Sequence, residues 1–77
     1  MFTYNIAKDA NRKAFNYICN LIESKLEGIE NKQLLEDVDG TQIKIFETRL
    51  GEIKVYNDYD VGAVYVDSEF DLKEIIK

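Results

Sequence analysis

The hydrophobic pattern of this chain changes its period at Gly28, and that change limits the folds it can adopt. Before Gly28, apolar residues recur at the three- and four-residue spacing of a helix with one buried side. After Gly28 comes a polar connection over residues 29–32. The rest of the chain then alternates apolar and polar residues, as strands with one buried face do. The chain is short enough for one domain, so the pattern predicts a single small α+β domain over residues 1–77.

Residues 6–27 predict one amphipathic helix. Asn5 can serve as its N-cap, and Gly28 can end it by adopting the left-handed conformation. Cys19 lies at the border of the apolar stripe, where we expect a half-buried packing residue. The stripe is centred on Ile18 and comprises Ala7, Ala14, Phe15, Ile18, Leu21 and Ile22. Residues 1–4 are either an extended arm or a short strand.

The second part of the chain predicts an antiparallel meander. Asp39-Gly40 is a strong hairpin turn, and further turns are expected at 49–51 and 57–60. In the strand over 52–56, Ile53 and Val55 face inward, whereas Lys54 and Tyr56 face outward. The predicted strands are 33–38, for which a further helical turn is the alternative, 41–48, 52–56 and 61–66.

Two segments are less regular. The strand over 61–66 is apolar on both faces, which is typical of a central strand or of one that meets a partner. Residues 68–77 begin with Ser68 and acidic residues, as helices do, and predict a short final helix with a fifth strand as the alternative. The expected architecture is one long N-terminal helix packed on a three- to four-stranded antiparallel meander sheet, with a short C-terminal helix.

The composition excludes most catalytic and metal chemistry. There is no histidine and one cysteine, so His-based triads, zinc sites and an intrachain disulfide are excluded. The four glycines are spaced like turns, not like a phosphate-binding loop. The ligand spacing around 57–62 also fails that of a calcium loop. We therefore expect no enzyme, no metal and no cofactor.

The N-terminus lacks the basic start and apolar run of a secretion signal, and no window is long and apolar enough to span a membrane. A cytoplasmic protein is the expectation.

The charge is unevenly distributed. The net charge is −5; residues 1–25 carry four basic and two acidic side chains, and residues 26–77 carry six basic and 13 acidic ones. Phosphate neutralisation needs Lys and Arg, so a chain this acidic is a poor candidate for non-specific nucleic-acid binding. A basic protein is the partner that the charge favours.

The acidic excess is concentrated in residues 57–71, where carboxylates alternate with aromatic side chains and no Lys or Arg is present. Tyrosines supply contact area at low entropic cost, and carboxylates steer a basic partner. A merely solvated acidic face is the alternative. The predicted partner-binding residues are Asp58, Asp60, Asp67, Glu69 and Asp71, with Tyr56 and Tyr59 as anchors.

These features predict a non-catalytic interaction protein that binds and inhibits a basic, nucleic-acid-handling protein. In size and charge alone the chain is similar to phage and mobile-element inhibitors, including proteins that mimic DNA. Two alternatives stay open. One is a structural or regulatory homodimer that pairs through residues 61–66 or through the long helix. The other is a weak nucleic-acid binder that uses Lys8, Arg12 and Lys13.

Overall fold

A computed structural model describes residues 1–76 as one helix and five strands. All strand pairs are antiparallel, and the strands lie side by side in the order β1-β5-β4-β3-β2. The elements in chain order are β1 (Phe2–Ala7), α1 (Arg12–Lys25), β2 (Ile29–Glu36), β3 (Gln42–Thr48), β4 (Gly51–Asp58) and β5 (Ala63–Ser68).

Helix α1 covers one face of the sheet. Asn11 caps its start, because the Asn11 Oδ1 atom accepts a 2.7 Å hydrogen bond from the Ala14 amide. Its buried side chains recur at helical spacing, so they form a single stripe. They are Phe15, Ile18, Cys19 and Ile22.

The core lies between this stripe and alternate residues of the inner strands. On β4 and β5 the inward positions are fully buried, as the alternation of strand residues requires. The sheet and the C-terminal segment contribute Phe46, Ile53, Val55, Val64, Val66 and Leu72 to this core. The prediction that Ile53 and Val55 face inward is confirmed.

The predicted helix boundaries are wrong at the N-terminus. The helix begins at Arg12, and residues 2–7 form the edge strand β1, which pairs with β5. Tyr4 and Ile6 pack against the core from this strand. Pairing with β5 satisfies backbone groups of residues 2–7, and Asn11 replaces Asn5 as the cap.

The sheet has five strands, not three or four. The polar connection predicted over residues 29–32 is wrong, because these residues form β2 together with residues 33–36. The ladder to β3 makes 33–36 a strand and not a further helical turn. Asp39-Gly40 lies in the β2–β3 turn, but the turn spans residues 37–41 and is not a two-residue turn. The Gly40 amide donates to the Asp37 carbonyl oxygen, and Gly40 has a positive φ of +94° whereas Asp39 does not. The strand predicted over 61–66 lies two residues later, at Ala63–Ser68, and is the interior strand β5, flanked by β1 and β4.

The predicted C-terminal helix is absent from residues 68–76; residue 77 lies outside the described residues. Ser68 ends β5, and its hydroxyl group donates to the Phe70 carbonyl oxygen and accepts from the Phe70 amide. The Ser68 side chain therefore closes a local turn, so it does not cap a helix. One further turn follows, in which the amides of Ile75 and Ile76 donate to the Leu72 carbonyl oxygen. Leu72 is buried in the core.

None of the helical residues within 1–76 form a segment long and apolar enough to cross a membrane.

Candidate functional site

No helix or strand of the described residues covers the face of the sheet opposite α1, and we call it the open face. Cross-strand partners lie on the same side of a sheet, so the registers assign its members. The row through Tyr56 pairs it with Ile43 on β3 and with Tyr65 on β5. The open face comprises Thr3, Asn5, Asn31, Gln33, Leu35, Ile43, Ile45, Glu47, Glu52, Lys54, Tyr56, Asp58, Ala63, Tyr65 and Asp67.

Two stacked tyrosines occupy the middle of the open face. The Tyr56 and Tyr65 rings lie 4.6 Å apart between centroids and 14° from parallel. The Tyr65 hydroxyl group donates to the Asp58 Oδ2 atom at 3.3 Å. Burial raises the pKa of Tyr65, and the nearby Asp58 carboxylate adds to the rise. The pair is a fixed, half-buried aromatic surface, which is the type of contact area that loses little entropy on binding.

The charges on the open face are mostly negative. The strand positions of this face carry one lysine, Lys54, and four acids: Glu47, Glu52, Asp58 and Asp67. Lys54 Nζ lies 3.7 Å from Glu52 Oε1. Both side chains are about two-fifths exposed, so solvent screens this ion pair and it contributes little stability.

Other basic side chains lie on the opposite side of the sheet. Lys32 Nζ binds Glu23 Oε1 of α1 at 2.8 Å. Lys44 Nζ lies 5.9 Å from the centroid of the Phe46 ring, which belongs to the helix-covered core. The strand register therefore separates charges that the sequence interleaves.

A small cleft opens at one end of this face. Its volume is about 90 Å³, and Tyr56 forms part of its wall. Three carboxylates and one ammonium group surround it, which favours a cationic side chain as its occupant. The lining residues are Met1, Glu52, Lys54, Tyr56, Asp67 and Glu69.

The structure divides the predicted acidic residues between two ends of β5. Asp58 and Asp60 lie at the β4–β5 loop, before β5 begins. Asp67 lies near the end of β5, and Glu69 and Asp71 follow it. A strand of six residues spans roughly 20 Å, so the five carboxylates do not form one cluster.

Several of these carboxylates stabilise turns. Asp58 Oδ1 accepts hydrogen bonds from the amides of Asp60 and Val61 in the β4–β5 loop. Glu69 Oε1 accepts a 2.6 Å hydrogen bond from the Glu52 amide. These contacts give Asp58 and Glu69 a role in local structure besides their charge.

Asp71 is also bound within the fold. Its Oδ1 atom accepts from the Tyr4 hydroxyl group at 2.8 Å and from the Lys73 amide at 3.0 Å. The hydrogen bond from Tyr4 is the largest cause of the lowered pKa of Asp71. Asp71 therefore fastens the C-terminal segment to β1.

The two predicted anchors have different positions. Tyr56 lies at the centre of the open face, as described above. Tyr59 lies in the β4–β5 loop and is 45% exposed. Its ring lies beside Gly40, and its amide donates to Thr41 Oγ1 at 3.0 Å. Tyr59 thus joins the β4–β5 loop to the β2–β3 turn.

Sequence reasoning missed Glu47, Glu52 and Tyr65 as members of the site. The two-residue turn at Arg49-Leu50 places Glu47 directly opposite Glu52. The predicted three-residue turn at 49–51 instead pairs Glu47 with Ile53, so that prediction could not bring the two acids together. The partner of Tyr56 could not be read either, because the four-residue loop after Asp58 leaves several registers open.

The basic group at the start of the helix lies away from the open face. Arg12 and Lys13 are exposed in the first turn of α1, and Lys8 is exposed in the β1–α1 connection. The exposure of these three side chains does not test whether the chain binds nucleic acid, so that alternative stays a prediction.

Within residues 1–76, no three Cys, Asp or Glu side chains are grouped as ligands of a metal ion. No protein-family model matches the chain, and neither a curated protein nor a solved structure does.

Proposed function

We propose that the protein is a non-catalytic binding protein whose open face captures a basic partner protein. The observation that carries this proposal is the separation of charge by the strand register. Four carboxylates and one lysine share the open face with a stacked tyrosine pair, while Lys32 and Lys44 lie on the helix side. A partner with exposed Arg or Lys side chains is complementary to such a surface.

The tyrosine pair supports this proposal in a second way. Interfaces are enriched in tyrosine and arginine, and an arginine guanidinium group stacks well on an aromatic ring. The cleft beside Tyr56 brings an aromatic wall and the Asp67 carboxylate together. An arginine of the partner can satisfy both at once, through stacking and a charge-assisted hydrogen bond.

The narrower form of the proposal is inhibition of a nucleic-acid-handling protein in the cytoplasm. The carboxylates of the open face would bind the same Lys and Arg side chains of the partner that otherwise bind phosphates. Binding to the open face would then exclude nucleic acid from the partner. Duplex DNA or RNA is accordingly expected to compete with this protein for the partner.

A capture experiment with matched variants tests the proposal. The immobilised protein is incubated with nuclease-treated lysate of its source cell, and bound proteins are quantified by mass spectrometry. One variant removes three charges from the open face, Glu47→Gln/Glu52→Gln/Asp67→Asn. The control removes three exposed charges elsewhere, Asp9→Asn/Glu27→Gln/Glu30→Gln.

The expected result is a set of basic proteins that the open-face variant loses, the control retains and moderate salt releases. Equal capture by both variants would overturn the proposal. The proposal would also be overturned if the proteins that the open-face variant fails to capture were acidic. A gel shift with DNA and RNA is run in parallel. Retention that depends on Arg12 and Lys13 would support the nucleic-acid alternative instead.

A further inference from the structure

Strand β2 is an unpaired edge that is exposed on both faces. It pairs with β3 on one side, and within residues 1–76 no strand pairs with its other side. Leu34 and Leu35 are 46% and 44% exposed, and they project from opposite faces of the sheet. Every residue of β2 after Ile29 is exposed. A long edge strand with free backbone groups and exposed leucines is a template for another strand.

The other edge strand, β1, offers a shorter regular segment, from Phe2 to Asn5. The pairing of β1 with β5 is interrupted between Asn5 and Ala7, and such irregularities bend an edge away from regular pairing. On β2 the irregularity lies at the start, between Ile29 and Asn31. From Asn31 to Glu36 the ladder is continuous, and β2 contains no proline.

We propose that β2 pairs antiparallel with β2 of a second copy of this chain, across a two-fold axis at Leu34. Two-fold pairing keeps each residue opposite one from the same face of the partner sheet. With Leu34 on the axis, the two Leu34 side chains meet, and Gln33 lies opposite Leu35. Lys32 then lies opposite Glu36 twice, once on each side of the axis.

The neighbouring registers are less favourable. With Gln33 on the axis, Glu30 lies opposite Glu36, which places like charges in direct contact. With Leu35 on the axis, both Lys32 and Glu36 face apolar residues, so the charge pairs are lost. The pattern of β2 is therefore self-complementary in one of these three registers.

The conformation of Lys32 suits this pairing. Its ammonium group is already held by Glu23 of α1 at 2.8 Å. A side chain that is fixed before association loses less entropy when a second carboxylate arrives. The result is a continuous ten-stranded sheet, since an axis perpendicular to the sheet preserves its two faces. Both open faces would lie on the same side of that sheet.

Sedimentation velocity across a wide concentration series tests the pairing. The chain has a mass of 9.0 kDa, and the expected result is a concentration-dependent species of twice that mass. Lys32→Glu and Glu36→Lys are each expected to be monomeric, because each places like charges opposite one another. An equimolar mixture of the two variants restores both opposite-charge pairs, so it is expected to form a heterodimer.

The matched control is Glu30→Lys, which makes the same charge change on β2 without a charged residue opposite it in this register. It is expected to dimerise like the unmodified chain. A chain that stays monomeric at all concentrations would overturn the proposal and leave the edge to a strand of another protein. A dimer that the mixed variants do not restore would also overturn it.

Cross-linking gives a second readout that does not depend on charge. Leu34→Cys places two thiols opposite each other at the axis, so mild oxidation is expected to link two chains. Gln33→Cys faces Leu35 and is expected to stay unlinked. Cys19 does not compete, because it is buried and desolvation raises its pKa to about 12. Equal cross-linking at positions 33 and 34 would contradict the register.

Discussion

A single hydroxyl group, that of Tyr4, joins the first strand to the last described turn. It donates to Asp71 Oδ1 at 2.8 Å and accepts from the Leu72 amide at 2.6 Å. Desolvation is the largest cause of the raised pKa of Tyr4, and the same contact lowers the pKa of Asp71. Because Leu72 is a buried core residue, the hydroxyl group also keeps the core closed at this end.

Tyr4→Phe removes both hydrogen bonds and leaves the Leu72 amide without this acceptor. We expect the free energy of unfolding to fall by about 1–2 kcal/mol, as measured by chemical denaturation. Tyr17→Phe is the control, since Tyr17 is 64% exposed. An equal loss of stability in both variants would show that the Tyr4 contact contributes nothing.

The same substitution changes the response to acid. The pKa of Asp71 is lower in the folded chain than its ordinary value of 3.8, so the ionised form is stabilised by folding. That contribution is present above pH 3.8 and is lost as the pH falls through the folded pKa. In Tyr4→Phe we expect the Asp71 pKa to rise towards 3.8, as followed by NMR titration. An unchanged Asp71 pKa would contradict the assignment.

The β3–β4 hairpin carries an unfavourable pair on the open face. Glu47 and Glu52 are directly opposite, which costs a hairpin stability. Asn31 Nδ2 donates to Glu47 Oε1 at 2.7 Å and relieves part of that cost. The proposed binding of a basic partner would give this pair a role, since folding alone would favour opposite charges here.

Glu47→Lys replaces the like-charge pair with an opposite-charge pair. We expect a gain of a few tenths of a kcal/mol in the free energy of unfolding, because the site is exposed. We also expect weaker binding of the basic partner. Thermal denaturation and the capture assay measure the two effects, with Glu30→Lys as the matched control. A variant that gains stability and binds as before would show that Glu47 does not contribute to the proposed binding.

Elements with strong local signals could be predicted from the sequence, and those that depend on distant pairing could not. The Asp39-Gly40 turn and the inward Ile53 and Val55 follow from turn chemistry and alternation. Strand β1 forms only because β5, some 60 residues away along the chain, offers a partner. The prediction of a final helix was wrong for a similar reason. Tyr4, which is distant in sequence, binds Asp71 and Leu72 in a non-helical segment.

The candidate site shows the same division. Tyr56 was predicted to face outward and does so, because alternation in β4 fixes its side. Its stacking on Tyr65 depends on the β4–β5 register, which the loop sequence did not specify. The predicted acids were chosen by closeness in sequence. The fold instead groups acids from β3, β4 and β5 across the sheet.

The two sides of the molecule differ in charge. Helix α1 carries Arg12, Lys13 and Lys25 with one acid, Glu23, while Lys54 shares the open face with four carboxylates. A five-stranded sheet is roughly 20 Å wide, so the open face is large enough to contact several side chains of a partner. The core occupies the inward sides of α1 and of the interior strands, and the proposals for association rest on the open face and on the β2 edge.

The measurement that decides the role of the open face is an NMR titration of the isotopically labelled protein with a short arginine-rich peptide at low salt. We predict that shifts concentrate around Glu52, Tyr56, Tyr65 and Asp67, and that added salt reverses them. Shifts centred on the exposed side of α1, or spread evenly over all acidic residues, would contradict the account.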